Sequence, residues 1–184
     1  MGLIGHNGGP GVEAGASWRR HCWTSARARL LPTLPIEVVR LRVRRAAELG
    51  LDYRTYAGVR AATGHDVVAF LFSSNALRVT ATRPVMAEER AVKLAAIRDC
   101  QRIALAVAPL QAPVVLQANP VLDQAHAAPP ALGRFRDVAA ALRTACGKLP
   151  SDRVLLVGDM ALEREWCAAG RLAAYLSADR YFPG

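Results

Sequence analysis

Between residues 66 and 176 the chain alternates between two hydrophobic patterns, and this restricts its fold more than any other feature. Asp66-Val-Val-Ala-Phe-Leu-Phe72 is a nearly unbroken apolar run, as are Arg102–Ala108, the shorter Pro113–Gln117 and Arg153–Val157. Runs of this length suit strands covered on both faces. The stretches 86–100, 131–147 and 160–176 instead repeat apolar residues at three- and four-residue steps, as helices do. In the first of these, Ala91, Leu94, Ala95 and Ile97 are expected to point inward. Strands alternating with helices argue for a largely parallel sheet. Only four residues separate the second and third runs, too few for a parallel crossover. The expected fold is therefore α/β: a three-layer sandwich with a small mixed, mostly parallel four-stranded sheet, preceded by basic N-terminal helices.

With 184 residues, 52% of them apolar, the chain can bury a substantial core. No apolar run approaches the roughly 18 residues of a membrane span, so no membrane association is expected. Residues 1–17 hold six glycines and one proline and are expected to form a flexible tail. Residues 18–184 are expected to form one α/β domain, with a basic helical part at 18–64 and the sheet in 65–184. Helices are expected near 17–31, 35–49 and 53–62, with Gly50 and Gly64 as stops. The N-terminus lacks the basic-then-apolar order of a signal peptide, so the expected compartment is the cytoplasm.

The formal net charge is +9, which attracts polyanions. Its basic residues are 22 Arg and only two Lys (Lys93 and Lys148) beside 35 Ala, the mark of a GC-rich coding sequence. Coding bias accounts for Arg over Lys. It does not account for ten Arg against three acids within residues 19–60. Arg40, Arg42, Arg44 and Arg45 cover the polar side of the 35–49 helix. The stretch Val43–Ala62 has the small residue and turn glycine of a helix-turn-helix, Ala46 and Gly50. Val59 would then face inward, and Arg54 and Arg60 would face a phosphate backbone or groove. An ordinary helix pair with a solvated basic face fits the same residues.

A second place for chemistry lies where strands end, because open α/β sheets bind ligands beyond the carboxyl ends of their strands. The first strand leads into Ser73-Ser74-Asn75, the third into Asn119 and the fourth into Gly158-Asp159. Ser and Asn can donate to an anion, and Ser73 and Asp159 are the catalytic candidates, Asp159 as a base. These residue types also serve simply to leave a strand or cap a helix.

Val154–Gly170 (VLLVGDMALEREWCAAG) resembles the fourth motif of haloacid-dehalogenase-type phosphatases. There a strand ends in Gly-Asp, an acid follows, and an Ala-Gly pair comes later; Gly158, Asp159, Glu163 and Ala169-Gly170 take comparable places. The resemblance implies acids that hold magnesium. The Asp-x-Asp nucleophile motif of that family is absent, since the first strand ends Phe72-Ser73-Ser74-Asn75. Active phosphatase chemistry is therefore not expected.

The four cysteines, Cys22, Cys100, Cys146 and Cys167, have no metal or redox spacing; Cys100, Cys146 and Cys167 sit in apolar settings and read as small core residues. No metal or cofactor is expected. His65 precedes the first strand and reads as a loop residue; His126, in a Pro-containing loop, could swing over the crevice. Three readings stay open. The favoured one is a basic accessory protein whose partner is DNA or RNA, held mainly by phosphate contacts. The others are a small Rossmann-like enzyme or ligand-binding module using the strand ends, and an assembly subunit meeting an acidic protein partner.

Overall fold

The computed structural model describes residues 34–183. The tail at 1–17, the helix expected at 17–31 and Cys22 lie outside them. By its contacts the chain divides between Val39 and Arg40. The described part of the first unit is Leu34-Pro35 and the opening turn of α1 (Ile36–Glu48). The rest of this section concerns the second unit.

After α1 the chain turns through Gly50 into α2 (Tyr53–Thr63). Gly50 has φ +66°, and a Cβ there would lie 3.3 Å from both Lys93 Cε and Tyr181 Oη. Both the backbone angle and the close approach thus favour glycine. Asp52 caps α2 by accepting from the Thr55 amide at 2.9 Å.

The sheet has five strands: β1 (Ala69–Ser73), β2 (Gln101–Ala106), β3 (Gln124–Ala127), β4 (Val154–Gly158) and β5 (Ala174–Ser177). All neighbours are parallel, in the order β3-β2-β1-β4-β5. The other helices are α3 (Glu88–Ala95), α4 (Ala112–Ala118), α5 (Phe135–Cys146), α6 (Glu163–Gly170) and the single turn α7 (Ala178–Tyr181).

Period-two alternation along the strands gives the sheet two buried faces. Phe70, Phe72, Ala104, Leu155 and Val157 join one core with residues of α1 to α4 and α7, including Ala46, Val59, Leu94, Val115 and Tyr181, and with Leu49 just after α1. Leu71, Ile103, Leu105 and Leu156 join a second core with Val138 and Leu142 of α5 and Trp166 of α6. Helices thus cover both sides of the sheet. In the first core the Tyr181 ring lies 5.3 Å from Phe70 and 5.6 Å from Phe72, and its hydroxyl donates to the Leu49 carbonyl at 3.1 Å. Each such buried ring contributes about 1.5–3 kcal/mol.

The structure corrects the expected sheet in three respects. Residues 113–117 are not a strand but lie in α4, with Pro113 in its first turn, where a missing N–H costs nothing. That helix is the crossover that makes β2 and β3 parallel, so the sheet is not mixed. The expected loop at 119–130 contains β3, which places His126 on an edge strand. The helix expected at 160–176 stops at Gly170 with Arg171 in the left-handed region (φ +52°), and the chain then forms β5. Ala95, expected inward, is exposed. Among the described residues, no helix is long and apolar enough to cross a membrane.

Candidate functional site

From β1 the chain moves outward to β2 and β3, then returns past β1 to β4 and β5. The strand order therefore reverses between β1 and β4, the usual place for a ligand crevice. Ser73, Asn75, Gly158 and Asp159 do converge there, around a residue that closes the gap. Glu163, at the start of α6, is 2% exposed. Its Oε1 accepts from Asn75 Nδ2 at 2.8 Å, and its Oε2 accepts from the backbone amides of Asp159 (2.7 Å) and Met160 (3.0 Å). A Cβ on Gly158 would sit 2.7 Å from Glu163 Oε2 and 2.8 Å from Tyr175 Cε2, so glycine there is what lets the carboxylate fold back.

The serines are equally committed. Ser73 Oγ accepts from the Ala76 amide at 3.0 Å, and Ser74 Oγ accepts from the Val107 amide at 3.1 Å. Both are buried. Asn119 does not end a strand: it follows α4 and staples loops, accepting from the Met86 amide and donating to the Pro84 and Val115 carbonyls, each at 2.8 Å. Asp159 alone of the six projects as an exposed group. The magnesium implied by the fourth-motif resemblance does not fit these residues. Both Glu163 oxygens are taken, and no group of three His, Cys, Asp or Glu side chains that could hold a metal occurs among the described residues.

Beside this closed point lies an open one. A cavity of about 460 Å³ is walled by Arg78 from the turn after β1, Glu89, Arg90 and Lys93 from α3, and Asp179 and Phe182 at the C-terminal end. Arg78 sits in the left-handed region (φ +53°), a backbone cost of about 1–2 kcal/mol for a residue with a Cβ. Arg90 is 8% exposed. One of its nitrogens, Nη1, donates to the Ala76 carbonyl, and its guanidinium lies 4.4 Å from the centroid of the Phe182 ring. Burial, and then the positive charge of Arg78, hold its pKa below the ordinary value. Its other N–H groups have no protein acceptor among the described residues and are not sealed from solvent. Lys93 Nζ donates to the Tyr181 carbonyl and lies 4.5 Å from the centre of the Tyr181 ring. Burial pushes its pKa down.

Part of this cavity is visible in the sequence. Arg90 stands four residues before Leu94 and seven before Ile97, on the same inward face of α3. A basic residue at an apolar period is the signal. The contribution of the C-terminal segment is hidden in the sequence, where 160–176 reads as one helix.

The basic helices are less uniform than their sequence. Arg40, Arg44 and Arg54 are exposed, while Arg42 and Arg60 are half-buried. Arg44 lies 3.9 Å from Glu48. The Nε of Arg60 is buried without a hydrogen-bond partner. Arg45 is a structural clamp. It bonds Asp66 Oδ2 at 3.0 Å, Glu48 Oε2 at 3.3 Å and the carbonyls of Arg98 (2.9 Å), Asp99 (3.0 Å) and Val67 (3.2 Å). Tyr56 of α2 is buried and donates to Asp66 Oδ1 at 2.8 Å. Burial also raises the pKa of all three described cysteines, Cys100 to about 12, which keeps them as unreactive thiols.

No protein-family model matches the chain, and no curated protein sequence or solved structure matches it significantly.

Proposed function

We propose that this chain is a Rossmann-like ligand-binding module that takes a small anion in the cavity at the carboxyl edge of its sheet. The observation that carries the reading is Arg90: a buried guanidinium on a cavity wall that makes no ion pair among the described residues, with the cation of Arg78 near it and the carboxylates of Asp159, Asp179 and Glu89 acting on it only from beyond ion-pair distance. Burying a charge without an ion-pair partner is costly. A phosphate or carboxylate compensates it with charge-assisted hydrogen bonds. Arg78 adds positive charge on the same wall, while Glu89 and Asp179 offer acceptors for hydroxyl or ammonium groups of the ligand.

The test is calorimetric titration of the full chain with inorganic phosphate, citrate and sugar phosphates. Saturable binding that Arg90→Met weakens by about tenfold or more supports the reading. No binding of any of these at low salt would sink it.

A second reading is favoured by the exposed Arg40, Arg44 and Arg54 of the helix pair: contact with the phosphates of DNA or RNA, or with an acidic protein surface. Arg45, committed to the fold, takes no part in it. Fluorescence anisotropy with a labelled duplex between about 50 and 200 mM salt tests this, and a steep loss of affinity is the expected result.

A further inference from the structure

We infer that Lys93 is an imine-forming lysine, and that the ligand of the cavity is a small aldehyde or ketone carrying a carboxylate or phosphate. This rests on the anion site proposed above and adds a covalent chemistry to it.

The residue choice is the first argument. The chain uses Arg at 22 of its 24 basic positions. Wherever a fixed cation suffices, guanidinium is the habit of this sequence. Lys93 is one of two exceptions, and it stands on the wall of the cavity that already holds Arg78 and Arg90. An amine can lose its proton and attack carbon; a guanidinium cannot.

The second argument is the setting of the amine. No carboxylate of the described residues pairs with Lys93, which donates to the Tyr181 carbonyl. The faces of Tyr181 and Phe182, with centroids 4.5 and 5.9 Å from Nζ, attract the ammonium form. Loss of water acts the other way and lowers the pKa of the amine from its ordinary value, so its proton is given up more easily. The neutral amine keeps a hydrogen for the Tyr181 carbonyl while its lone pair is released. A desolvated lysine of this kind is the usual nucleophile for carbonyl carbon.

The third argument is orientation. Arg90 lies three residues before Lys93 on α3, so the two side chains lie on neighbouring positions of one helix face. An anionic group on Arg90 and Arg78 brings a carbonyl a few bonds away towards Nζ. Attack of the Nζ lone pair on the carbonyl carbon opens the C=O π bond. The oxygen takes up one proton and the nitrogen gives one up, forming a carbinolamine. Loss of hydroxide with a proton, as water, leaves the C=N bond. The balance is amine plus carbonyl to imine plus one water, with no oxidant or reductant. Asp179, exposed on the same wall, is the group placed to exchange these protons.

The chain supplies its own control, because Lys148 is its sole other lysine. The full-length protein is mixed with pyruvate, with glyceraldehyde 3-phosphate, or with acetone as an uncharged comparison. Sodium borohydride is added and the adducts are mapped by peptide mass spectrometry. Expected is one reduced adduct at Lys93, formed with the charged carbonyls at least about tenfold more than with acetone. Excess inorganic phosphate suppresses it, and Lys93→Arg, which keeps the charge, abolishes it. Thermal melting of that variant confirms its fold. Lys93→Met serves if the arginine variant melts early, since it also removes the amine. Equal labelling of Lys93, Lys148 and the N-terminal amine overturns the inference, as does an adduct with no preference for a charged carbonyl. Phosphate binding without any adduct overturns the imine alone and leaves the anion site standing. Absence of both overturns the two together.

Discussion

Two places at the carboxyl edge of one sheet differ in how their polar groups are satisfied. At the β1–β4 reversal, an internal carboxylate takes up the two loop amides and the Asn75 amide, and glycine at 158 makes room for it. In the neighbouring cavity a guanidinium is nearly as deeply placed, yet its near partners are one carbonyl and a ring face, with the Arg78 cation opposing it and the carboxylates of Asp159, Asp179 and Glu89 beyond ion-pair distance. Fold topology nominates the first place; unsatisfied chemistry nominates the second. A crevice at a switch point is a site only if the chain has not filled it.

Four substitutions break or sharpen this contrast. The largest expected effect is on binding: Arg90→Met removes phosphate affinity by about tenfold or more, read by calorimetry. Next, Gly158→Ala forces a Cβ against Glu163 and Tyr175 and lowers stability by about 1–3 kcal/mol in urea melts, with the cavity still binding. Asn75→Asp sets a second carboxylate against Glu163 at a distance that was 2.8 Å in the hydrogen bond. Two such acids cannot both ionise cheaply, so one pKa rises. The variant should be less stable than the parent at neutral pH, and the gap should narrow as pH falls through that raised pKa and the pair takes up a proton.

The smallest effect belongs to the opposite, amino edge. There Arg102 bonds both oxygens of Asp123 at 2.7 and 3.0 Å, and those hydrogen bonds hold the Asp123 carboxyl below its ordinary range. Its contribution is present above the ordinary carboxylate range and is lost as pH falls through the depressed folded-state value. Since the pair is partly exposed, Asp123→Asn should cost less than about 1 kcal/mol and leave anion binding unchanged.

The three central strands were legible because both their faces are covered, so burial writes an unbroken apolar run into the sequence. The two edge strands were not. Gln124-Ala-His-Ala127 and Ala174-Tyr-Leu-Ser177 are half-exposed and need no such run, so β3 passed for a loop and β5 for the end of a helix. Missing β3 turned the crossover α4 into a strand, because Val114, Val115 and Leu116 form an apolar triplet whether or not each is covered. In the structure only Val115 is buried. The switch-point residues were legible as types and positions, since turns after strands select Ser, Asn, Gly and Asp. Their hydrogen-bond commitments were not, because these depend on Glu163 reaching back across a loop. Arg90 carried its signal in its helical phase.

The clamp at Arg45 changes what a tally of basic residues means. A guanidinium that gives its hydrogens to three carbonyls and two carboxylates behaves as a strut, joining α1 to the segments that lead into β1 and β2. Its charge is already answered at short range, so an approaching polyanion meets little of it. Replacing it would be felt in the alignment of the two central strands before it was felt in any encounter with a partner.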